Sequence, residues 1–167
     1  MRRRYRFGHA WNAPASMADV YAVLYELVDY PAWWPYLKEA TKLDEDHVTV
    51  RAHAALPYSL YMTMRRVRAE PEAGVLETRI EGDLRGWARW TIEPTATGTH
   101  ISFEEEVVLN KPMLRAVEAL IWPLYCVNHD LTVRGAARLF STFLAGYLLG
   151  KRSASEAGQG ATERRGV

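Results

Sequence analysis

Two residues of the sequence place a titratable side chain in an apolar setting. Glu105 interrupts an alternating series formed by Ile101, Phe103 and Val107, and this alternation predicts a β-strand with Glu105 on its inner face. His129 lies on an apolar stripe with helical spacing, together with Cys126, Val133, Ala137, Phe140 and Leu144. A carboxylate or imidazole in such a setting can orient a polar ligand group or act as a general acid or base. Glu105 and His129 are therefore candidate catalytic residues, and they would form an acid/base couple if the fold brought them together.

Both residues also have a purely structural interpretation. Because a buried carboxylate without a partner is costly, Glu105 could instead pair with an Arg or Tyr side chain. A bulge in the run 104–106 could also turn it toward solvent. A single His on an apolar helix face is commonly a hydrogen-bonded core residue, and the sequence does not decide between these interpretations.

Composition and motifs exclude several other classes of function. Twenty-one Lys and Arg against 20 Asp and Glu give a net charge of +1, which offers no electrostatic support for nucleic-acid binding. The longest apolar run, residues 139–150, is shorter than the roughly 20 residues that span a bilayer. No signal-peptide pattern is present either, so we expect a cytoplasmic protein. The five His residues lack metal-ligand spacing, Cys126 is the single Cys, and no nucleotide-binding glycine motif occurs, so the sequence predicts no metal and no cofactor.

The elements that position the two candidates follow a regular order. A strand over residues 4–11 comes first, and two short helical segments lie between residues 16 and 36. Alternation then predicts six strands joined by turns, over residues 38–43, 47–56, 59–69, 75–81, 84–93 and 99–109. A long helix follows over residues 111–149, with Gly150 as its stop. We expect one domain over residues 1–150 and a disordered tail over residues 151–167, which are mostly small or charged.

The hydrophobic pattern of the last hairpin sets its register. Pairing Ile92 with Ile101 keeps apolar residues on one side and places Arg89 opposite Glu104 on the other side. The inner side of the two strands then holds Gly86, Ala88, Trp90, Phe103 and Glu105.

Small inward residues predict a cavity beneath the long helix. The preceding turn sets Thr78 opposite Gly86, so that Thr78, Gly86 and Ala88 form a patch of small side chains. Such a patch leaves volume under the helix, and Trp90 and Phe103 would close one end. In the alternative arrangement, the helix packs directly onto the patch and leaves no cavity.

The remaining cavity walls depend on open choices. On the strand over residues 59–69, either Met62 and Met64 face inward, or Tyr61 and the residues that alternate with it do. The first choice suits a pocket, because Met side chains adapt to irregular ligands. The long helix contributes Leu124 from a further apolar stripe. In the segment PAWWPY, we expect one Trp to anchor the short helix and the other to lie at the pocket mouth.

Four segments together resemble a known superfamily. They are DYPAWWPY, LPYSL, GDLRGWARWTIEPTATGTHISF and NHDLTVRGAARL. Across residues 4–149 the chain resembles the START/SRPBCC superfamily of birch-pollen-allergen-like proteins, especially its polyketide cyclase/dehydrase branch. The resemblance implies an α+β helix-grip fold, in which a strongly curved seven-stranded antiparallel sheet wraps around a long C-terminal helix, with two short helices between strands 1 and 2. The superfamily has no universal catalytic signature, so the resemblance assigns no residue a role.

The resemblance and the predicted cavity lead to two functional hypotheses. In the first, the protein binds a hydrophobic small molecule (a lipid, quinone, polyketide or aromatic compound) as a carrier or sensor. In the second, it is a cofactor-independent polyketide cyclase/dehydrase whose pocket carboxylate or His acts as acid or base. A pocket carboxylate without a partner would favour the enzyme, and a wholly apolar pocket would favour the carrier. The predicted ligand-binding residues are Met62, Met64, Thr78, Gly86, Ala88, Trp90, Phe103, Glu105, Leu124 and His129.

Overall fold

Seven strands and three α-helices make up the computed structural model, which describes residues 3–53, 59–110 and 118–163. Within the last range, side chains are described for residues 127, 129 and 131–154. The elements are β1 (Tyr5–Ala13), α1 (Met17–Tyr25), a 3-10 turn (Leu27–Asp29), α2 (Tyr30–Trp33), β2 (Leu37–Lys42), β3 (His47–His53), β4 (Ser59–Glu70), β5 (Val75–Gly82), β6 (Leu84–Thr95), β7 (Gly98–Leu109) and α3 (Glu118–Glu163).

The strands form one antiparallel sheet in the order β1-β7-β6-β5-β4-β3-β2. The sheet does not close, because β1 and β2 are its two edges. Register shifts between Leu37 and Glu39 and between Arg66 and Arg68 interrupt the ladder, and such bulges bend a sheet. One sheet face packs against α1, α2 and α3, which confirms the predicted α+β helix-grip fold.

Helix α1 is defined by polar contacts at both ends. Ser16 caps its N-terminus by accepting a hydrogen bond from the Asp19 N–H. At the other end, the Tyr30 hydroxyl donates to the Leu24 carbonyl at 2.7 Å, and Arg66 donates to the Tyr25 carbonyl at 2.8 Å. These two donors satisfy carbonyls that the end of a helix leaves without partners, so α1 is fixed to α2 and to the sheet.

The predicted register of the last hairpin is confirmed, with Ile92 opposite Ile101 and Arg89 opposite Glu104. The predicted inward face of β4 is also confirmed, since Met62 and Met64 are buried whereas Tyr61 is 59% exposed.

The predicted pairing across the turn after β5 is wrong by two residues, because Ile80 lies opposite Gly86. Hydrogen bonds to outer neighbours explain the shift. The Asp83 N–H donates to the Tyr61 carbonyl, and the Asn110 N–H donates to the Asp83 carbonyl, so the corner is bonded to β4 and to the end of β7. A shift of two residues leaves every side chain on its predicted face.

Helix α3 continues beyond the predicted stop at Gly150 to Glu163, the last described residue. A glycine that terminates a helix commonly adopts positive φ, and Gly150 does not. Lys151, one residue further, pairs with Asp19 of α1 at 2.6 Å and so holds this part of α3 against the domain. The predicted start of the helix lies outside the described residues, and the predicted domain limits remain a prediction.

In residues 3–53, 59–110 and 118–163, none of the helices has an apolar stretch long enough for a transmembrane span.

Candidate functional site

A cavity of about 50 Å³ lies between the inner face of the sheet and helices α2 and α3. Eight of the predicted ligand-binding residues line it: Met62, Met64, Thr78, Ala88, Trp90, Phe103, Glu105 and His129. A single water needs about 10–15 Å³ of such space, so the cavity holds only a few water molecules. Among the described residues, α3 therefore leaves some free space above the sheet, but that space is too small for a ligand larger than a few water molecules.

Strand register arranges the inward side chains in three neighbouring rows across the sheet. The polar row, read from β4 to β1, consists of Arg66, Thr78, Ala88, Glu105 and Phe7. The aromatic row on one side consists of Leu76, Trp90, Phe103 and His9. The aliphatic row on the other side consists of Met64, Ile80, Gly86, Val107 and Tyr5.

Glu105 and His129 meet across the space between β7 and α3. The Nε2 atom of His129 lies 2.7 Å from Oε2 of Glu105, and both side chains are largely buried, at 7% and 11% exposure respectively. The Phe7 ring, opposite Glu105 on β1, stacks on the imidazole with a centroid distance of 3.6 Å and an interplanar angle of 18°. This stacking holds the ring with Nε2 directed at the carboxylate.

This pair can provide hydrogen bonds to a ligand. A carboxylate accepts up to about four hydrogen bonds, and within the described residues Glu105 accepts one, from His129. Its remaining capacity faces a cavity that also contains the side chain of Thr132, whose hydroxyl donates to the His129 carbonyl at 2.8 Å. The pair can therefore hold a ligand hydroxyl or exchange a proton with one.

The aromatic row forms one wall of the cavity. Trp90 packs against Phe103 with ring centroids 4.5 Å apart, and Trp34 of the segment after α2 lies 5.3 Å from Phe103. Trp34 lines the cavity, whereas its neighbour Trp33 is fully buried behind it and contacts Phe140 of α3. One Trp thus fills the core and the other faces the cavity.

Two titratable side chains near the cavity have structural roles. Arg66 donates to Asp46 at 3.0 Å, in addition to its bond to Tyr25, and its guanidinium lies over the Tyr25 ring at 3.4 Å. Burial raises the pKa of the Tyr30 hydroxyl, which keeps this group protonated as the donor to Leu24.

Gly86 is a predicted site residue that does not line the cavity. A Cβ added at Gly86 would collide with the Glu106 carbonyl oxygen and lie 2.8 Å from the Val107 Cα. The absent side chain therefore permits close approach of the β6 and β7 backbones and does not create volume under the helix. Leu124 belongs to α3, and its side chain lies outside the described residues.

Several lining residues were missed by sequence reasoning: Tyr30, Tyr36, Leu37, Ile80, Leu84 and Thr132. For Trp34, the sequence predicted one Trp of the segment PAWWPY at the pocket without deciding which one. The parity of β5 and β6 was sufficient to find Ile80 and Leu84, because they share a face with Thr78 and Ala88. Helical spacing was sufficient to find Thr132, three residues after His129. In the described residues, no group of three His, Cys, Asp or Glu side chains could hold a metal ion.

Solved structures share this architecture at low sequence identity. The Zhui aromatase/cyclase from Streptomyces matches with a TM-score of 0.73 and 13% identity, over 86% of this chain and 94% of that chain. A START superfamily protein from Mycobacterium smegmatis matches with a TM-score of 0.60 and 13% identity, over 85% and 98% of the two chains. Norcoclaurine synthase from Thalictrum flavum, in complex with dopamine and hydroxybenzaldehyde, matches with a TM-score of 0.58 and 13% identity, over 87% and 88%. At such identities the likeness shows the fold alone.

A family model identifies the sequence more specifically. The model described as polyketide cyclase / dehydrase and lipid transport matches residues 13–123, which is more than half of the chain. The chain belongs to this family, which agrees with the polyketide cyclase/dehydrase branch that the sequence resemblance indicated. No curated protein matches the sequence.

Proposed function

We propose that the protein binds an apolar small molecule between its sheet and α3, as a carrier or sensor. The observation that carries the proposal is the composition of the cavity: aromatic and Met side chains form its walls, and Glu105 with His129 forms a polar position. Burial of apolar ligand surface would supply most of the affinity, and the polar position would set the orientation.

A ligand of the expected size requires the cavity to enlarge. Sites for drug-sized molecules have volumes of about 300–1,000 Å³, and this cavity has about 50 Å³. Met62 and Met64 line it, and their unbranched side chains turn about three bonds. Rotation of these two side chains would enlarge the cavity with little change in the backbone.

The Glu105–His129 pair supports a second candidate, a cofactor-independent cyclase/dehydrase. In such a reaction, Glu105 would take a proton from the carbon beside a ligand carbonyl, and a protonated His129 would give its proton to a hydroxyl group on the next carbon. The C–O bond would break to release water as the C=C bond forms, and the proton on Glu105 would pass to His129 across their contact. Binding remains the first proposal, because Glu105 already has a partner in His129 and this contact has a structural role without any substrate.

Filling the cavity tests the binding proposal. Ala88 lines the cavity, so Ala88→Leu adds three carbon atoms to a small space. We expect isothermal titration calorimetry with 2-naphthol to show binding to the wild type and at least about tenfold weaker binding to Ala88→Leu. Ala10→Leu is the matched control, because Ala10 is exposed on the outer face of β1. Equal affinity for wild type and Ala88→Leu would contradict the proposed location, and native mass spectrometry of the purified protein would report any retained ligand.

A turnover assay separates the two candidates. Glu105→Gln retains the size of the side chain and removes its ability to take a proton. If the protein is a carrier, this variant changes ligand affinity only; if it is a cyclase/dehydrase, the variant still binds a β-hydroxyketone substrate but no longer releases water from it.

A further inference from the structure

Thr78 is a buried residue of the central strand β5, and its side chain lines the cavity. The residue is 4% exposed. Within residues 3–53, 59–110 and 118–163, no side chain or carbonyl forms a hydrogen bond with the Thr78 hydroxyl. Thr99 differs, since it is also buried but donates to the Ala15 carbonyl at 2.7 Å. Because the hydroxyl groups of buried residues are usually hydrogen-bonded, the Thr78 hydroxyl has unused capacity to bond to a ligand in the cavity.

Strand register fixes the relation between Thr78 and Glu105. Thr78 lies opposite Ala88, and Ala88 lies opposite Glu105, so the two polar residues are separated by one strand. Opposed Cα atoms of antiparallel strands alternate between about 4.5 and 5.5 Å, so the Cα atoms of Thr78 and Glu105 are about 10 Å apart. Ala88 contributes only a methyl group between them, so a ligand can lie over it.

The other polar group of this row is not available to a ligand. Arg66 lies opposite Thr78, but its guanidinium is bonded to Asp46 and to the Tyr25 carbonyl. The polar row thus offers two binding positions to the cavity, Thr78 at one end and the Glu105–His129 pair at the other.

We propose that Thr78 is a second polar anchor and that the ligand is a flat, apolar molecule with a hydrogen-bonding group at each end. This inference rests on the proposed binding function and specifies its ligand class. One group bonds to the Glu105 carboxylate, the body lies over Ala88 against Trp90, and the other group bonds to the Thr78 hydroxyl. The separation of the anchors selects ligands whose polar groups lie on opposite ends and not side by side.

Three naphthalene probes test this inference by calorimetry. In 2,7-dihydroxynaphthalene the hydroxyls lie on different rings, in 2,3-dihydroxynaphthalene they are adjacent, and 2-naphthol has one. A single hydroxyl should bond to the Glu105 carboxylate, because a charged acceptor gives the stronger hydrogen bond. Only the 2,7-isomer then reaches Thr78 as well.

The variant Thr78→Val removes the hydroxyl and retains the shape of the side chain. We expect it to weaken binding of 2,7-dihydroxynaphthalene by about three- to tenfold and to leave the other two probes within about twofold. Thr63→Val, on the outer face of β4, should change none of the affinities. Thr78→Ser retains a hydroxyl and should preserve the preference for the 2,7-isomer, which also covers the case in which Thr78→Val does not fold.

The possible failures are distinguishable. If the wild type binds all three probes but Thr78→Val, or Thr78→Ala in its place, binds the 2,7-isomer as tightly as the wild type does, Thr78 is not an anchor and the binding function stands. If the wild type binds none of the probes, both the binding function and the inference built on it are contradicted.

Discussion

The aromatic row and the polar row lie side by side on one sheet and differ in how they fill space. In the aromatic row, Trp90 and Phe103 are in direct contact and are backed by Trp33 and Phe140. In the polar row, a single methyl group separates Thr78 from Glu105. Large rings in contact contribute strongly to folding, whereas a small residue leaves space above it that a ligand of the proposed kind could fill. The two rows therefore differ in free volume: the aromatic row is filled by its own side chains, and the polar row leaves space above Ala88.

The largest expected loss of stability comes from substitution of an aromatic residue in the interior. Trp33 is fully buried among Tyr30, Trp34, Trp90 and Phe140, so Trp33→Ala should lower the free energy of unfolding by about 3–5 kcal/mol. Urea denaturation measures this loss.

Trp87→Ala is the control for that substitution. Trp87 is half-buried on the outer face of β6, with its ring 5.1 Å from the Arg89 guanidinium, and its removal should cost clearly less. A loss below about 2 kcal/mol for Trp33→Ala would show that the packing of Trp33 behind the aromatic row is not a major source of stability.

The next effect comes from the buried pair in the polar row. His129→Leu leaves the Glu105 carboxylate without its partner and should cost about 3 kcal/mol, measured by urea denaturation. In the double variant Glu105→Leu/His129→Leu no charge is left unpaired, so we expect it to be more stable than His129→Leu alone. If the two substitutions simply added their losses, the pair would not be coupled.

Arg66 gives a smaller effect in the same row. Arg66→Met removes the donors to Asp46 and to the Tyr25 carbonyl and should cost about 2 kcal/mol. Arg68 is the matched control, because its pair with Glu70 is about half exposed, and Arg68→Met should cost clearly less stability than Arg66→Met. Equal losses for the two Arg residues would mean that the buried position of Arg66 is unimportant.

The smallest loss of stability is expected outside both rows, at the ion pair that joins α3 to α1. Hydrogen bonds from Lys151 and Ser16 lower the pKa of Asp19 from its ordinary value of 3.8. A lowered pKa in the folded state stabilises the protein above pH 3.8, and this contribution is lost as the pH falls through the folded-state value.

Asp19→Asn tests the contribution of this contact. At pH 7 the variant should be less stable by up to about 1 kcal/mol, because the ion pair is at the surface. The difference from the wild type should shrink as the solution is acidified below pH 3.8, as urea denaturation at several pH values would show. A difference that is the same at pH 7 and pH 2.5 would exclude a role for the Asp19 charge.

The orientation of strand residues could be predicted from the sequence, because it follows the alternation of apolar and polar side chains. The register of β6 with β7 follows from alternation and one charge pair, and it places Ala88, Glu105 and Phe103 on the inner face as expected. The lining by Met62 and Met64 follows from the same rule.

Contacts that depend on distant elements could not be predicted in the same way. The meeting of Glu105 with His129 depends on the rotation of α3 about its axis, which no local pattern specifies. The shift at Asp83 depends on hydrogen bonds to Tyr61 and Asn110, which belong to other parts of the sheet. Gly86 was misinterpreted because a glycine in a strand can indicate either free volume or close backbone approach.

The polar row has a consequence for how this protein family can diversify. Neighbouring strands keep a nearly constant spacing, so substitutions cannot change the separation of two anchors on one row gradually. Moving an anchor to the adjacent strand changes the separation by about 5 Å in one step. With the two proposed anchors, ligand length would therefore be selected in discrete increments, and related chains with a polar residue in place of Ala88 would accept shorter ligands.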